Sequence, residues 1–161
     1  MNTLIVYSSK YGCTEKCARQ IAEHLGGTVE LKNLKTSKKD FDLNTYERVI
    51  IGSSIYVGKA SKETTEFCRR NLDQLQTKKL GLYICCMRDG QIAEDELTAA
   101  YPEELRRQSL ACDYFGGEII LNRLSSLDRL MARKAAKIET DLVSLSTEKI
   151  YGFSNKLKSA G

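Results

Sequence analysis

Residues 5–21, Ile5-Val-Tyr-Ser-Ser-Lys-Tyr-Gly-Cys-Thr-Glu-Lys-Cys-Ala-Arg-Gln-Ile21, constrain the fold more than any other stretch of the chain. A continuous apolar run ends in hydroxyl residues, a glycine follows, and apolar residues then recur at helical spacing. This reads as a buried strand, a short loop and a helix opening at Cys13-Thr14. The N–H groups of a helix's first turn have no intrahelical partner, and its dipole end is positive, so such a turn attracts anions. Ser9 and Thr14 add hydroxyl donors, Lys10 adds charge, and Gly12 lets the backbone approach closely. A phosphate group is therefore expected at residues 8–14.

Strands are expected at residues 3–7, 28–34, 48–53, 79–85 and 111–120, the last interrupted by Gly116-Gly117. The second alternates only weakly, as an edge strand would; Val49-Ile50-Ile51 is continuous, as a strand covered on both faces would be. Between them lie helical patterns. The first covers residues 13–25, with Cys17, Ala18, Ile21 and Leu25 on one face and Gly26-Gly27 ending it. The second is capped by Ser61 and carries Thr64, Phe67, Cys68, Leu72 and Leu75. A third covers residues 94–101, Pro102 opens a further turn, and the last helix covers 147–157. Strands alternating with helices imply an α/β fold, a doubly wound parallel sheet with helices on both faces. Ligands bind such sheets outside the carboxyl ends of the strands. Three loops converge there: 8–14, 53–59 and 85–90.

The chain has 161 residues, the length of one domain, here 1–161. No apolar run reaches the about 20 residues of a membrane span, and no signal peptide opens the chain. Six cysteines without a C-x-x-C pair, and one histidine, His24, give neither a disulfide scaffold nor a zinc motif, so no metal is expected. Cys17, Cys68 and Cys85 lie on apolar faces and are read as small core residues. A reduced, cytoplasmic setting follows. The net charge is +4, but pairs such as Lys38-Lys39, Arg69-Arg70, Lys78-Lys79 and Arg106-Arg107 are scattered without interleaved aromatics. That pattern does not suggest a nucleic-acid surface.

The phosphate loop is neither a G-x-x-x-x-G-K-S/T loop nor a G-x-G-x-x-G turn. Ile5, Val6, Tyr7, Ser9, Gly12, Thr14, Ala18 and Ile21 together resemble the flavodoxin signature at every fixed position. The resemblance implies a five-stranded sheet of order 2-1-3-4-5 and an FMN cofactor with its phosphate in the first loop. Flavodoxins usually carry Thr and Asn where this chain has Tyr11 and Cys13; the backbone amides of residues 10–14 do not depend on those side chains. The implied FMN contacts are Ser9, Lys10, Tyr11, Gly12, Cys13 and Thr14 for the phosphate. For the ring they are Ser54, Ile55, Tyr56, Val57 and Gly58 in the second loop, and Cys86, Met87, Arg88 and Asp89 in the third. Tyr56 is the stacking candidate. The third loop lacks the aromatic common in flavodoxins, and Arg88 there places a cation near the ring, which favours the reduced anion and raises the potential. No side chain stands out as a general acid or base.

Lys10 after Ser9, the Ser-Ile-x-x-Gly element of residues 54–58 and Asp128-Arg129-x-Met131 resemble one branch, the flavodoxin-like protoporphyrinogen IX dehydrogenases. That branch passes electrons from a porphyrinogen through FMN to a quinone. Residues 121–144 read as a basic amphipathic helix, with Leu127, Leu130, Met131, Ala135, Ile138 and Leu142 on one face and Arg129, Arg133, Lys134 and Lys137 around it. Such a helix either packs on the sheet or makes a peripheral contact at the inner face of the membrane, where a quinone is reached. Flavodoxins that shuttle electrons between redox partner proteins are strongly acidic, which this chain is not. The alternatives are a non-enzymatic electron carrier and an NAD(P)H-dependent quinone reductase. A phospho-receiver lacks its acidic residues here, since Ser8-Ser9 and Ser53 occupy the places. The C-x5-R spacing of a tyrosine phosphatase, from Cys13 to Arg19, puts the arginine inside the helix.

Overall fold

Three consecutive residues of the first strand, Leu4, Ile5 and Val6, are wholly inaccessible to solvent, as a strand covered on both faces requires. A computed structural model describes residues 1–37, 42–134 and 137–160 of the chain. Its elements begin with β1 (Asn2–Ser8), α1 (Cys13–Leu25), β2 (Thr28–Asn33), β3 (Arg48–Tyr56) and β4 (Lys59–Ala60). Then come α2 (Lys62–Arg70), α3 (Leu72–Leu75), β5 (Lys79–Cys85), α4 (Gly90–Ala100), α5 (Glu103–Gln108) and β6 (Ala111–Tyr114). The chain closes with β7 (Glu118–Ile119), α6 (Ser126–Lys134), β8 (Leu142–Val143) and α7 (Thr147–Ser159).

The main sheet runs β2-β1-β3-β5-β6, with neighbours on this path paired in parallel. Counted by its long strands, this is the expected 2-1-3-4-5 order. Alternate side chains feed two cores. On one face Leu4, Val6, Val49, Ile51, Leu80 and Leu82 meet Phe67, Leu75, Ala93 and Leu105 from α2 to α5. On the other, Ile5, Ile50, Tyr83 and Cys85 meet Cys17 and Ile21 of α1 and Ile150, Phe153 and Leu157 of α7. Ser61 caps α2 by accepting from the Thr64 N–H, and Gly26 ends α1 at a φ of 65°.

Four boundaries differ from expectation. The third strand runs on to Tyr56 and turns back as β4, pairing Ile55 with Ala60 and Tyr56 with Lys59. The second helix breaks at Asn71 into α2 and α3. The third opens at Gly90 rather than 94, with Asp89 as its N-cap. The expected strand 111–120 divides: Gly116 takes a φ of 85°, and β7 leaves the main sheet to pair antiparallel with β8. A Cβ on Gly116 would fall 2.1 Å from the Ser144 carbonyl oxygen, so glycine is what lets the two segments close together.

The helix expected over 121–144 is also shorter. α6 covers Ser126–Lys134; then Lys137 takes a φ of 55° and the Ile138 N–H bonds back to the Ala132 carbonyl (2.8 Å), a bond that closes a helix C-terminus. Leu142 belongs to β8, so Ile138 and Leu142 do not continue the helical face. Lys38-Lys39 and Ala135 lie outside the described residues. Among the described residues no helix is long and apolar enough to cross a membrane.

One close approach ties the centre of the sheet to the first loop. A Cβ on Gly52 would lie 2.1 Å from the Tyr83 ring, so the ring crosses β3 only because position 52 has no side chain. Beyond it the Tyr83 hydroxyl donates to the Thr14 carbonyl (2.8 Å) in the first turn of α1. The ring stacks on Phe115 (centroids 5.1 Å apart) and meets Phe153 edge-on (6.0 Å). Gly52→Ala is expected to lower unfolding stability by about 1–3 kcal/mol, the range for overpacking a core, measured by urea denaturation.

Candidate functional site

A cavity of about 510 Å³ opens at the carboxyl ends of β1, β3 and β5, where the three expected loops converge. Its wall includes Ser9, Lys10, Tyr11 and Cys13 from the first loop, Ser54, Ile55, Tyr56 and Val57 from the second, and Cys86, Met87 and Arg88 from the third. Gly12, Thr14, Gly58 and Asp89 are not part of the wall. Gly12 is the N-cap of α1 at a φ of 93°, and its N–H donates to Ser9 Oγ (2.8 Å), leaving the serine proton free to turn outward. Gly58 completes the β3–β4 turn, and Asp89 accepts from the Gly90 N–H (2.8 Å).

Thr14 is fully buried, and its Oγ1 has no hydrogen-bond partner among the described residues. A buried unpaired hydroxyl costs about 1–3 kcal/mol, so this one is built for a group not yet in place. It stands in the same turn as the unpaired amides of α1. A phosphate monoester fits this donor set.

The fourth wall was not legible as a site from the sequence. Gly117, Glu118, Ile119, Leu124, Asp128, Met131, Ala132 and Ile138 complete the cavity, with Cys85 at the end of β5. Asp128 organises it. This carboxylate lies 2.7 Å from Lys10 Nζ and accepts hydrogen bonds from the hydroxyls of Tyr11 and Tyr56. Lys10 first, then the two hydroxyls, hold its carboxyl well below the usual carboxylate range. A lowered folded-state pKa stabilises the fold above the unfolded value of about 3.9, and the contribution is lost as pH falls through the lowered value. α6 is therefore pinned over the first loop at neutral and mildly acidic pH. The available signal was an acid set among the apolar residues of that helix.

Lys10 Nζ also sits 3.9 Å from the centre of the Tyr56 ring, so the stacking candidate already presents one face to a cation. Met87 and Arg88 are exposed on the rim. Burial pushes the Cys86 thiol up to about 11, which removes it as a nucleophile at neutral pH. Cys13, Cys17 and Cys85, two of them expected only as core residues, gather their sulfurs within 4.8 Å of one another beside the cavity.

A family model described as a flavodoxin domain matches residues 4–144. No curated protein sequence matches the chain. Among solved structures, oxidised flavodoxin 1 from Bacillus cereus is 16% identical with a TM-score of 0.61, covering 99% of this chain and 98% of that one. The two-electron reduced flavodoxin of Megasphaera elsdenii is 16% identical, with a TM-score of 0.56 and 98% of each chain covered. The flavodiiron core from Synechocystis sp. PCC6803 is 17% identical with a TM-score of 0.59; all of this chain corresponds to 37% of that one. At such identities the likeness establishes the fold.

Val57 stands out in the cavity wall. It and Gly58 form a two-residue hairpin turn with positive φ at both positions (50° and 74°), a turn that favours Asn-Gly. A β-branched residue is strained there, and this one is 73% exposed. Val57→Asn is expected to raise stability by about 1 kcal/mol, read from the midpoint of chemical denaturation. No gain would show that the turn does not strain valine.

Proposed function

The chain belongs to the flavodoxin family, and we propose that it is an FMN-dependent oxidoreductase of the protoporphyrinogen IX dehydrogenase type, oxidising a porphyrinogen with a quinone as acceptor. The family fixes the cofactor as FMN. When bound, FMN supplies the electron transfer, while the protein holds and tunes it.

In this reading the amides of Lys10, Tyr11, Cys13 and Thr14 and the hydroxyls of Ser9 and Thr14 hold the phosphate, the Gly12 N–H orients Ser9 Oγ, and Thr14 Oγ1 gains its missing partner. Lys10 neutralises charge while remaining tethered to Asp128. Tyr56, Val57 and Met87 border the ring on its apolar sides and exclude water. Arg88 supplies positive charge at the same rim.

The observation that carries the substrate assignment is α6: its Met131 (43% exposed) lines a cavity that also presents Lys10 and Arg88, and Leu127 and Leu130 are exposed (67% and 49%) on the same helix outside that cavity. A porphyrinogen is a broad, largely apolar macrocycle bearing carboxylates, and it matches apolar surface flanked by cations. The same exposed face, with Arg133 and Lys134 beside it, supports a peripheral contact with an anionic membrane, where a quinone is dissolved. A net charge of +4 favours this over a carrier that docks redox partner proteins through an acidic rim.

Two measurements test the reading. Thr14→Val is expected to weaken FMN binding about tenfold while leaving the stability of the FMN-free protein unchanged or raised, because valine removes a hydroxyl that only the ligand satisfies. Equal affinity would remove Thr14 from the site. With FMN bound, anaerobic protoporphyrinogen is expected to bleach the flavin absorbance, and a quinone to restore it. A flavin inert to porphyrinogen but reduced by a partner reductase would make the protein a carrier. Direct reduction by NAD(P)H would make it a quinone reductase.

A further inference from the structure

Cys85 is far from Cys13 and Cys17 in sequence but meets them in space. Cys13 and Cys17 are four residues apart on α1 and so share a helix face, while Cys85 ends the central strand β5. Their Sγ atoms all lie within 4.8 Å of one another, and Cys17 Sγ is 3.5 Å from Cys85 Sγ. All three are free thiols. We propose that they form a three-thiolate site for one cuprous ion, set behind the wall of the cofactor cavity that Cys13 and Cys85 share.

The geometry suits a small thiophilic cation. Three sulfurs around a metal at the usual metal–thiolate length of about 2.3 Å stand about 4 Å apart, close to the spacing already present. The ligands come from a helix packed on a sheet, whose backbones are fixed by the core, so little reorganisation is needed. Cys17 and Cys85 are buried (0% and 4% exposed); Cys13 is half-buried and, with Cys85, reaches the cavity wall, which supplies an entry path.

The chemistry narrows the metal. Among the described residues the cluster contains sulfur alone; neither a carboxylate nor an imidazole joins it. All-thiolate sites select soft ions, which leaves calcium, magnesium and manganese out. Zinc in structural sites takes four protein ligands almost without exception, and among the described residues no fourth joins the cluster. Cuprous copper is soft and accepts three. Lys16, ion-paired with Glu118 (3.0 Å), lies near enough to Cys13 to bring positive charge beside the resulting anionic centre. Binding forms three copper–sulfur bonds and displaces the remaining thiol protons to solvent, with no change in oxidation state.

The test titrates the reduced full-length protein, with and without FMN, with cuprous ion under anaerobic conditions against a chromophoric copper(I) chelator. One ion per chain is expected, with three sulfur neighbours at about 2.3 Å by X-ray absorption. Cys13→Ser and Cys17→Ser should each weaken binding more than about 100-fold, beyond the loss usual for outer-sphere partners, while Cys112→Ser leaves it unchanged. Cys13 is half-buried, so its serine variant retains the fold, which far-UV circular dichroism checks. The proposal is overturned by absence of binding, by unchanged affinity in Cys13→Ser, by an equal loss in Cys112→Ser, or by a shell of two sulfurs. Preferential binding of zinc in fourfold coordination would also overturn it.

Discussion

Parallel pairing of β1, β3 and β5, each covered on both faces, sets the position of everything else. A parallel strand can reach its neighbour only through a crossover, so each strand must end in a loop on the same edge of the sheet. Ser8, Ser54 and Cys85 therefore arrive side by side, in the registers Ser8 with Ser53 and Ser54 with Cys85. The polar loops are left at this edge because the strands before them bury nearly everything apolar. The Tyr83 ring, crossing β3 at Gly52 to hold the Thr14 carbonyl, couples the same sheet to the turn that carries the unpaired hydroxyl.

Onto this edge the chain adds a second layer. After β6 it leaves the main sheet, forms β7 and β8, and lays α6 across the first loop. Asp128 secures it, joining Lys10, Tyr11 and Tyr56 in one hydrogen-bonded group. A carboxylate so placed shares the cation of an anion site without occupying the helix amides. It also explains why α6 keeps its apolar residues exposed: the helix is held by its polar member, and Leu127 and Leu130 remain turned outward. Redox chemistry in this family belongs to the cofactor, so this chain's own contribution lies in the added wall and the charge around it.

The position of Cys13 illustrates how closely functions can be set in such a fold. It lies in the first turn of α1, at the wall of the cavity on one side and against Cys17 and Cys85 on the other. The close approach of the three thiols lowers the pKa of Cys13 and raises those of Cys17 and Cys85. This follows from packing a helix's second turn against the end of a central strand, which leaves space for sulfur and little more.

By itself the sequence determined the sheet, its order, the two covered faces and the loops that form the site, because these rest on local apolar periodicity and on glycine and hydroxyl placement. It also pointed to residues 8–14 as a candidate anion site, since a helix N-terminus is a local property of the backbone. Its largest misplacements lie between 111 and 144. There a strand became two pieces because Gly116 had to meet Ser144, and a long amphipathic helix became a short one closed at Lys137. The meeting of Gly116 and Ser144 depends on a partner more than twenty residues away, as do the pairing of Asp128 with Lys10 and the meeting of Cys85 with Cys13 and Cys17. Apolar periodicity reports which face of an element is buried; only the tertiary structure decides what it is buried against.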